Sequence, residues 1–199
     1  MFAAAKGWDA ASGRAFVRAV PSLASAVDSR GRRALQHACA VKPPGPRLGE
    51  TNGLATAQAL LDTGADLEAA VPMPNEGDLR GTPLWYAVAR GENLPLVRFL
   101  LKRGADASWS LWAAVWRDAD VMLRDLLKMR LCLNRKANGE TAFFHAAWLQ
   151  RLKTLDLLIG AGADPTIADD RGRDARSIGR ERRLPKPFID RLGALATPG

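Results

Sequence analysis

Two histidines and two cysteines are the side chains with the most readily recognised chemistry in this chain. His37 and Cys39 lie two residues apart in "RRALQHACAV", close enough to raise the question of a metal site. The apolar pattern of that stretch predicts a helix, and side chains two positions apart on a helix point in different directions. His145 stands beside Phe144 in a separate segment, and no third ligand accompanies either histidine. We therefore expect neither a metal ion nor a cofactor.

The sequence also lacks the patterns of well-known catalytic sites. "GAGAD" at 160–164 is glycine-rich, but it follows a predicted helix rather than the strand that precedes a nucleotide-binding loop. The carboxylates of Asp169 and Asp170 stand at the start of a segment, where aspartate commonly begins a turn. No G-x-S-x-G, H-E-x-x-H or Walker sequence occurs. We predict a protein without enzymatic activity.

The composition favours a basic, helical protein. The chain has 199 residues, a formal net charge of +8 and 47% apolar residues, enough for one domain or one elongated repeat array. Alanine, leucine and arginine are plentiful while β-branched residues are sparse, a balance that favours helices. The charge should attract an acidic protein face, nucleic acid or an anionic membrane. The alternative is that the arginines reflect a biased genome and are simply solvated.

Cysteine usage and the N-terminus indicate the compartment. Two cysteines are too few for a disulfide framework, which favours a reducing environment. The N-terminal "MFAAAKGWDAASGRAF" lacks the apolar run of a signal peptide, and no stretch approaches the roughly 18 apolar residues of a membrane span. We expect a cytoplasmic protein that does not enter membranes, with non-classical export as an alternative.

A repeated element must position any functional residue. "GAD" closes "LLDTGAD" at 60–66, "LLKRGAD" at 100–106 and "LIGAGAD" at 158–164, and a degenerate copy, "LLKMRLC", occupies 126–132. A shorter helical segment precedes each copy. Each unit is therefore predicted to contain a short helix, a turn, a second helix and a connecting excursion.

One unit illustrates how the residues specify this structure. Thr82 can cap the first helix, and Pro83 occupies its first turn, where a missing N–H costs nothing. Leu84 and Val88 contribute to an apolar stripe at helical spacing. Gly104 is expected to end the second helix in a left-handed conformation. A single unit cannot bury its apolar face alone, whereas a stack of units can.

This pattern resembles the ankyrin repeat, which runs approximately D-x-x-G-x-T-P-L-H-x-A-A-x-x-G-H-x-x-I-V-x-x-L-L-x-x-G-A-D. Residues 139–164 match it without a gap, and residues 82–106 match it with one extra residue between the helices. The resemblance implies an all-α ankyrin-repeat solenoid of stacked helix-turn-helix units with short or irregular hairpin excursions. We count four repeats and a partial C-terminal capping repeat in an array at 28–192. An N-terminal capping helix segment at 1–27 precedes the array, and a C-terminal tail at 193–199 follows it.

Three connections depart from the regular period of about 33 residues. A Pro/Gly-rich insert interrupts the first unit at 42–54. The excursion at 69–81 is about six residues longer than usual, whereas the connection at 105–110 is nearly deleted. The geometry of all three is left open, and the long excursion could reach over the edge of a partner.

The resemblance also implies where a partner binds, because proteins of this family contact partners mostly just before T-P-L and just after A-A, on a concave face. The residues of this chain at or near these positions are Arg30, Arg32, Arg80, Arg90, Trp109, Trp116, Arg117, Glu140, Trp148, Leu149, Arg171 and Arg173. Arginine and tryptophan are enriched at interface hot spots. Trp116 and Trp148 occupy equivalent positions in adjacent units and are expected side by side on one face.

Other large aromatic residues are expected in the core. Trp85, Trp112 and Phe144 share a repeat position that is largely packed in the family. Trp109 fits either location, so the sequence alone leaves its environment open.

Charge and resemblance together predict a non-catalytic protein–protein interaction module whose basic, Trp-containing concave face binds an acidic protein. The residue usage looks bacterial, and small bacterial proteins of this family often act as inhibitors, including immunity proteins that neutralise a toxin enzyme. A cytoplasmic inhibitor of this kind, monomeric when free, is the leading hypothesis. The alternatives are a bacterial effector that binds a host protein and nucleic-acid binding through the basic stretch "RGRDARSIGRERRLPKPFIDR". A capping repeat, however, needs a polar outer face in any case.

Overall fold

The computed structural model describes residues 1–43 and 52–195. The helices in these residues are α1 Phe2–Lys6, α2 Ala10–Ala19, α3 Ala34–Cys39, α4 Leu54–Asp62, α5 Pro83–Tyr86, α6 Leu94–Lys102, α7 Ser110–Arg117, α8 Asp120–Leu126, α9 Ala142–Trp148, α10 Leu152–Gly160, α11 Ala175–Glu181 and α12 Lys186–Leu195. A 3₁₀ turn covers Pro21–Ala24, and a π-helical turn covers Ala87–Gly91. The strands are β1 Val71–Pro72, β2 Arg80–Gly81, β3 Lys136–Ala137 and β4 Glu140–Thr141.

The helices form two layers. The first helices of the units, α3, α5, α7, α9 and α11, contact one another in chain order, and the second helices, α4, α6, α8 and α10, do the same. This arrangement confirms the predicted all-α solenoid of two-helix units. The helices α1 and α2 extend the two layers at the N-terminal end, where α1 packs on α3 and α2 packs on α4. At the other end, α12 packs against α11.

Local chemistry sets the ends of the helices. Thr82 and Thr141 each accept a hydrogen bond, 3.1 Å long, from the backbone N–H three residues further on, and Asp174 accepts the equivalent bond at 2.7 Å. These side chains satisfy donors that a helix leaves unpaired at its start. Gly104 and Gly162 follow the second helices with φ of +92° and +80°, a conformation that glycine adopts without steric cost.

The core lies between the two helix layers. Leu84, Leu111 and Phe143 are each no more than 1% exposed and occupy the same position in successive units. Trp85 and Trp112, expected in the core, are also buried. Phe144 is buried as well, and burial of such large rings in three successive units joins those units into one continuous core.

The connections between units differ in length. Strands β1 and β2 pair antiparallel, with Val71 opposite Gly81, and strands β3 and β4 pair with Lys136 opposite Thr141. No strand pair forms between α6 and α7, where residues 103–109 lead directly into the next unit. The predicted irregular connection at 42–54 lies partly outside the described residues.

Candidate partner-binding face

The long excursion of the second unit covers a recess on the face formed by the first helices. We call the hairpin from Val71 to Gly81 the strap. Beneath it lies a cavity of about 680 Å³, which we call the central recess. Its floor includes Trp85 and Tyr86, which follow Thr82 in α5, and Trp112 and Trp116 from α7.

The strap ends on the fourth unit rather than over open solvent. Oδ1 of Asp78 accepts a hydrogen bond of 2.6 Å from the backbone N–H of Asn138, which is 60 residues further along the chain. Asn138 lies in the turn between β3 and β4. The strap therefore crosses the third unit, whose own excursion is almost absent. The long and the short connection compensate for each other, and the central recess is the space enclosed between them.

A turn within the strap keeps it folded back on itself. The N–H of Met73 donates to the carbonyl of Leu79 at 3.1 Å, and the N–H of Leu79 donates to the carbonyl of Glu76 at 3.0 Å. Gly77, at the tip, adopts φ of +50° and leaves no room for a side chain beside Asn138. The tip is thus shaped for close contact with the fourth unit.

Arg90 and Trp116 form the most accessible pair in the recess. The guanidinium carbon of Arg90 lies 5.5 Å from the ring centroid of Trp116, a cation–π distance. Trp116 is 45% exposed, which is unusual for so large a ring. Among the described residues no carboxylate pairs with Arg90 within 4.0 Å. The pair therefore presents an apolar ring and an uncompensated positive charge together.

Arg30 and Arg32 line the recess on the side of the first unit. Nε and one terminal amino group of Arg32 donate to Oδ2 of Asp28 at 3.0 and 2.8 Å, so the charge of Arg32 is largely compensated. Burial pushes the pKa of Asp28 upward, but hydrogen bonds from Arg32 and from the backbone of Arg30 outweigh it and hold that pKa well below its usual range. The guanidinium of Arg30 has no carboxylate partner among the described residues.

The second predicted tryptophan has a different environment. Trp148 lies between the guanidinium groups of Arg173 and Arg182, 5.3 and 4.5 Å from its ring centroid, and is only partly exposed. Arg182 Nε also donates to the Trp148 carbonyl at 3.0 Å. Arg173 is bound in turn to Asp169 at 2.7 Å. Trp148 is therefore already covered by side chains of the capping repeat.

Trp148 lines a separate, smaller cavity of about 310 Å³, together with Asp170 and Arg171. Asn138 and Glu140 line both cavities, so the two openings adjoin on the same side of the molecule. Trp116 and Trp148 thus line neighbouring recesses, and the Trp116 ring contacts one guanidinium group whereas the Trp148 ring contacts two. Arg171 has no carboxylate partner among the described residues.

The first and last units contain the same local structure. In "DSRGR" at 28–32 and "DDRGR" at 169–173, the aspartate accepts bonds from the backbone N–H groups two and four residues on and from the final arginine. Asp169 resembles Asp28 in its titration, because hydrogen bonds from Arg173 and Arg171 lower its pKa despite the opposing effect of burial. In both copies the guanidinium of the middle arginine, Arg30 or Arg171, has no carboxylate partner within 1–43 and 52–195.

The remaining predicted residues lie outside both cavities. Arg80 reaches the carbonyl of Leu79 at 3.4 Å. Arg117 pairs with Glu92. Trp109 carries the guanidinium of Arg135 over its ring at 4.5 Å. Leu149 is the fourth predicted residue that lines neither cavity, after Arg80, Trp109 and Arg117.

Titratable side chains form no cluster that could hold a metal ion in the described part of the chain. Nδ1 of His145 lies 3.2 Å from Glu140, and Nε2 of His37 lies 2.9 Å from Asp28 but is buried. No group of three histidine, cysteine or acidic residues within 1–43 and 52–195 is arranged to hold a metal ion. The helices of those ranges are also too short or too polar to cross a bilayer.

Sequence reasoning missed Tyr86, Met73 and Asp78, which respectively line the floor, line the roof and anchor the strap. Burial raises the pKa of the Tyr86 hydroxyl, whereas the positive charges of Arg32 and Arg90 oppose this shift. One signal was available: an excursion about six residues too long directly precedes one that is almost deleted.

Comparison with known proteins agrees with this architecture. The sequence profile described as ankyrin repeats, three copies, matches residues 52–169. The chain resembles the crystal structure of the ankyrin repeat domain of Bcl-3, described as a unique member of the IkappaB protein family. That match has 26% identity and a TM-score of 0.68, and covers 93% of this chain and 77% of that one.

Two further solved structures match over nearly their whole length. An ankyrin repeat domain from Acinetobacter baumannii AYE is 24% identical, with a TM-score of 0.69, and the match covers 98% of this chain and 96% of that one. The ankyrin repeat protein EF0377 is 22% identical, with the same TM-score and the same coverage. No functionally curated protein matches the sequence.

Proposed function

The chain belongs to the ankyrin-repeat family, whose domains are protein–protein interaction modules, and we propose that its central recess and the arginines around it bind an acidic surface of another protein. The observation that carries this proposal is the pair formed by Arg90 and Trp116. A solvent-exposed indole beside an unpaired guanidinium combines the two residue types most enriched at binding hot spots. Arg30 adds a second uncompensated positive charge on the same recess.

Binding of this kind would act by steric and electrostatic means. The basic face would accelerate encounter with an acidic partner, and the Trp116 ring would be desolvated in the complex. We propose that the protein inhibits its partner by covering a functional surface, as a toxin-neutralising immunity protein does. In this proposal the free protein is a cytoplasmic monomer of bacterial origin.

The contacts of the C-terminal arginines give less support to nucleic-acid binding. Arg173 and Arg191 pair with the carboxylates of Asp169 and Asp156, and Arg182 donates a hydrogen bond to the carbonyl of Trp148. Fewer free guanidinium groups are then available to neutralise phosphates, which is the main source of such affinity. A DNA duplex that was retained with a steep salt dependence would contradict the protein-binding proposal.

The test is affinity capture from a lysate of the source organism, followed by mass spectrometry and by reconstitution of the purified pair. The wild type and three variants, Arg90→Gln, Trp116→Ala and Arg124→Gln, serve as baits. Arg124 is an exposed arginine of α8, in the layer of second helices, and is the matched control. We expect one acidic protein to bind the wild type and the control but not the other two baits. Equal capture by all four baits would show that another surface binds.

A further inference from the structure

We propose that the central recess binds one extended peptide segment of the partner, in which an acidic residue stands next to an aromatic one. This inference rests on the proposed function and specifies the chemistry of the contact. The strap lines one side of the recess, so a narrow extended segment reaches the floor more easily than a broad folded surface does. The volume of about 680 Å³ lies within the range of sites that enclose small organic groups. A few residues of extended chain fit this description.

The acidic residue is inferred from the charges that line the recess. Three arginines and two glutamates, Glu76 and Glu140, line it. Glu140 faces His145 at 3.2 Å and Arg32 is compensated by Asp28. Arg30 and Arg90 have no carboxylate partner among the described residues, so the lining keeps an excess of positive charge. Arg90 also lies close enough to Tyr86 to influence the titration of its hydroxyl. A partner carboxylate would therefore meet an uncompensated guanidinium, a charge-assisted contact that is stronger than a neutral one.

The aromatic residue is inferred from the floor and roof. Trp116, 45% exposed, presents a ring surface from α7. The largely buried Trp112 and Met73 of the strap, whose sulfur lies 4.0 Å from the Tyr86 hydroxyl, also line the recess. Aromatic rings stack favourably on tryptophan and pack against the flexible thioether of methionine. The adjoining recess does not offer these surfaces, because Arg173 and Arg182 already cover the ring of Trp148.

Two capped synthetic peptides test the proposal. The first is N-acetyl-Gly-Asp-Phe-Asp-Gly-amide, and the second replaces both aspartates with asparagine, which removes charge and preserves shape. Isothermal titration calorimetry should give the acidic peptide a dissociation constant below about 1 mM and an affinity at least tenfold higher than that of the amide peptide. Equal binding of the two peptides, or binding of neither, would overturn the proposal.

Variants locate the binding site. Arg90→Gln and Trp116→Ala should each weaken the acidic peptide at least tenfold, while Arg124→Gln should leave it unchanged. Circular dichroism establishes that each variant is folded. Asp78→Ala, which releases the strap from Asn138, provides a second check, because it should weaken the peptide without removing any lining side chain. Full binding by the Arg90 and Trp116 variants would place the peptide elsewhere and refute the assignment.

A third ligand, phenylacetate, tests whether the recess binds a small molecule rather than a peptide. Phenylacetate carries the same carboxylate and ring without a peptide backbone. If it binds as tightly as the acidic peptide, the recess is a small-molecule site and the peptide proposal is wrong. The failure of this inference is distinguishable from failure of the proposed function, because a partner captured through Arg90 and Trp116 would remain even if neither peptide bound.

Discussion

The guanidinium carbon of Arg90 lies 5.5 Å from the ring centroid of Trp116, although the two residues belong to successive repeat units. The contact holds both side chains on the rim of the central recess before any partner arrives. Pre-organised side chains lose less conformational entropy on binding. The pair therefore forms the best-prepared anchor on the proposed binding face.

Replacement of Trp116 by alanine should reduce affinity and leave stability nearly unchanged. We expect a loss of about 2 kcal/mol or more in binding free energy, as for a tryptophan at a hot spot. The ring is 45% exposed, so its removal leaves little cavity in the core. Calorimetric titration with the purified partner and thermal unfolding of the free protein measure the two effects. Trp116→Phe, which keeps a ring, should retain part of the affinity. A lower unfolding temperature with unchanged affinity would contradict the assignment.

Replacement of Trp148 should have the opposite profile. Its ring is packed between Arg173 and Arg182, and Arg182 also bonds its carbonyl group. Trp148→Ala should therefore lower the free energy of unfolding by about 1–3 kcal/mol, measured by urea denaturation. Trp148→Phe, which retains a ring between the two guanidinium groups, should be closer to the wild type. A Trp148→Ala protein as stable as the wild type would show that the capping repeat does not depend on this contact.

The units of the solenoid were predictable because each depends on chemistry within a few residues. Thr82 caps α5 by accepting a hydrogen bond from the backbone N–H three residues further on, and Gly104 ends α6 through its own backbone conformation. The extra residue expected between the helices of the second unit is accommodated by the π-helical turn at Ala87–Gly91, followed by Glu92 with φ of +47°. The number of residues predicted that the connection is one residue longer, but it did not predict that the extra residue would form a π-helical turn.

The candidate site was predictable only in part, because its geometry depends on contacts between distant units. Family positions directed attention to Arg90 and Trp116, which line the recess, but they gave no indication that Arg182 would lie over Trp148. The strap depends on a bond between Asp78 and Asn138, 60 residues apart. This bond forms because the connection before the third unit is short, which lets the strap reach the fourth unit. Local helix and turn propensities do not predict such a contact between distant residues.

The bond between Asp78 and Asn138 should control the mobility of the strap. Asp78→Ala removes the acceptor of the Asn138 N–H, so amide hydrogen exchange at Asn138 should become faster. Asp78→Asn retains a side-chain oxygen in the same place and should remain close to the wild type. Both are measured by exchange with mass-spectrometric or NMR detection. Unchanged protection of the Asn138 amide in the alanine variant would show that the strap is held by other contacts.

The two cysteines should differ in reactivity. Cys39 is fully buried, and burial raises the pKa of its thiol, so its reactive thiolate is disfavoured. Cys132 is exposed. In the native protein we expect one thiol per chain to react rapidly with an aromatic disulfide reagent, and two after unfolding in guanidinium chloride. Cys132→Ser should abolish the rapid reaction, whereas fast modification of Cys39 would mean that the first unit opens readily.

His37 should make the protein less stable as the pH falls below neutrality. Its Nε2–H donates to Asp28 at 2.9 Å, which fixes the neutral tautomer in the resting state. Burial and then the charge of Arg32 lower the pKa of His37, and Lys6 acts in the same direction, whereas Asp28 opposes the shift. The lowered pKa means that the unfolded chain binds a proton at a higher pH than the folded chain does.

The sign of the effect follows from this difference. Above the unfolded pKa of about 6.5, His37 is neutral in both states and contributes no pH dependence. As the pH falls through that value toward the lower folded pKa, protons bind the unfolded chain preferentially and the free energy of unfolding decreases. The pKa of Asp28 is also lowered, but its contribution is lost only at more acidic pH, below about 3.9.

Urea unfolding between pH 7.5 and 5 measures this dependence, and His37→Gln is the informative variant. Glutamine retains an N–H donor for Asp28 and does not titrate, so the decrease in stability over this window should become shallower than in the wild type. His145→Gln controls for the other histidine, which is partly exposed beside Glu140. If the wild type and His37→Gln lost stability in parallel, the buried imidazole would not be the group that responds to pH.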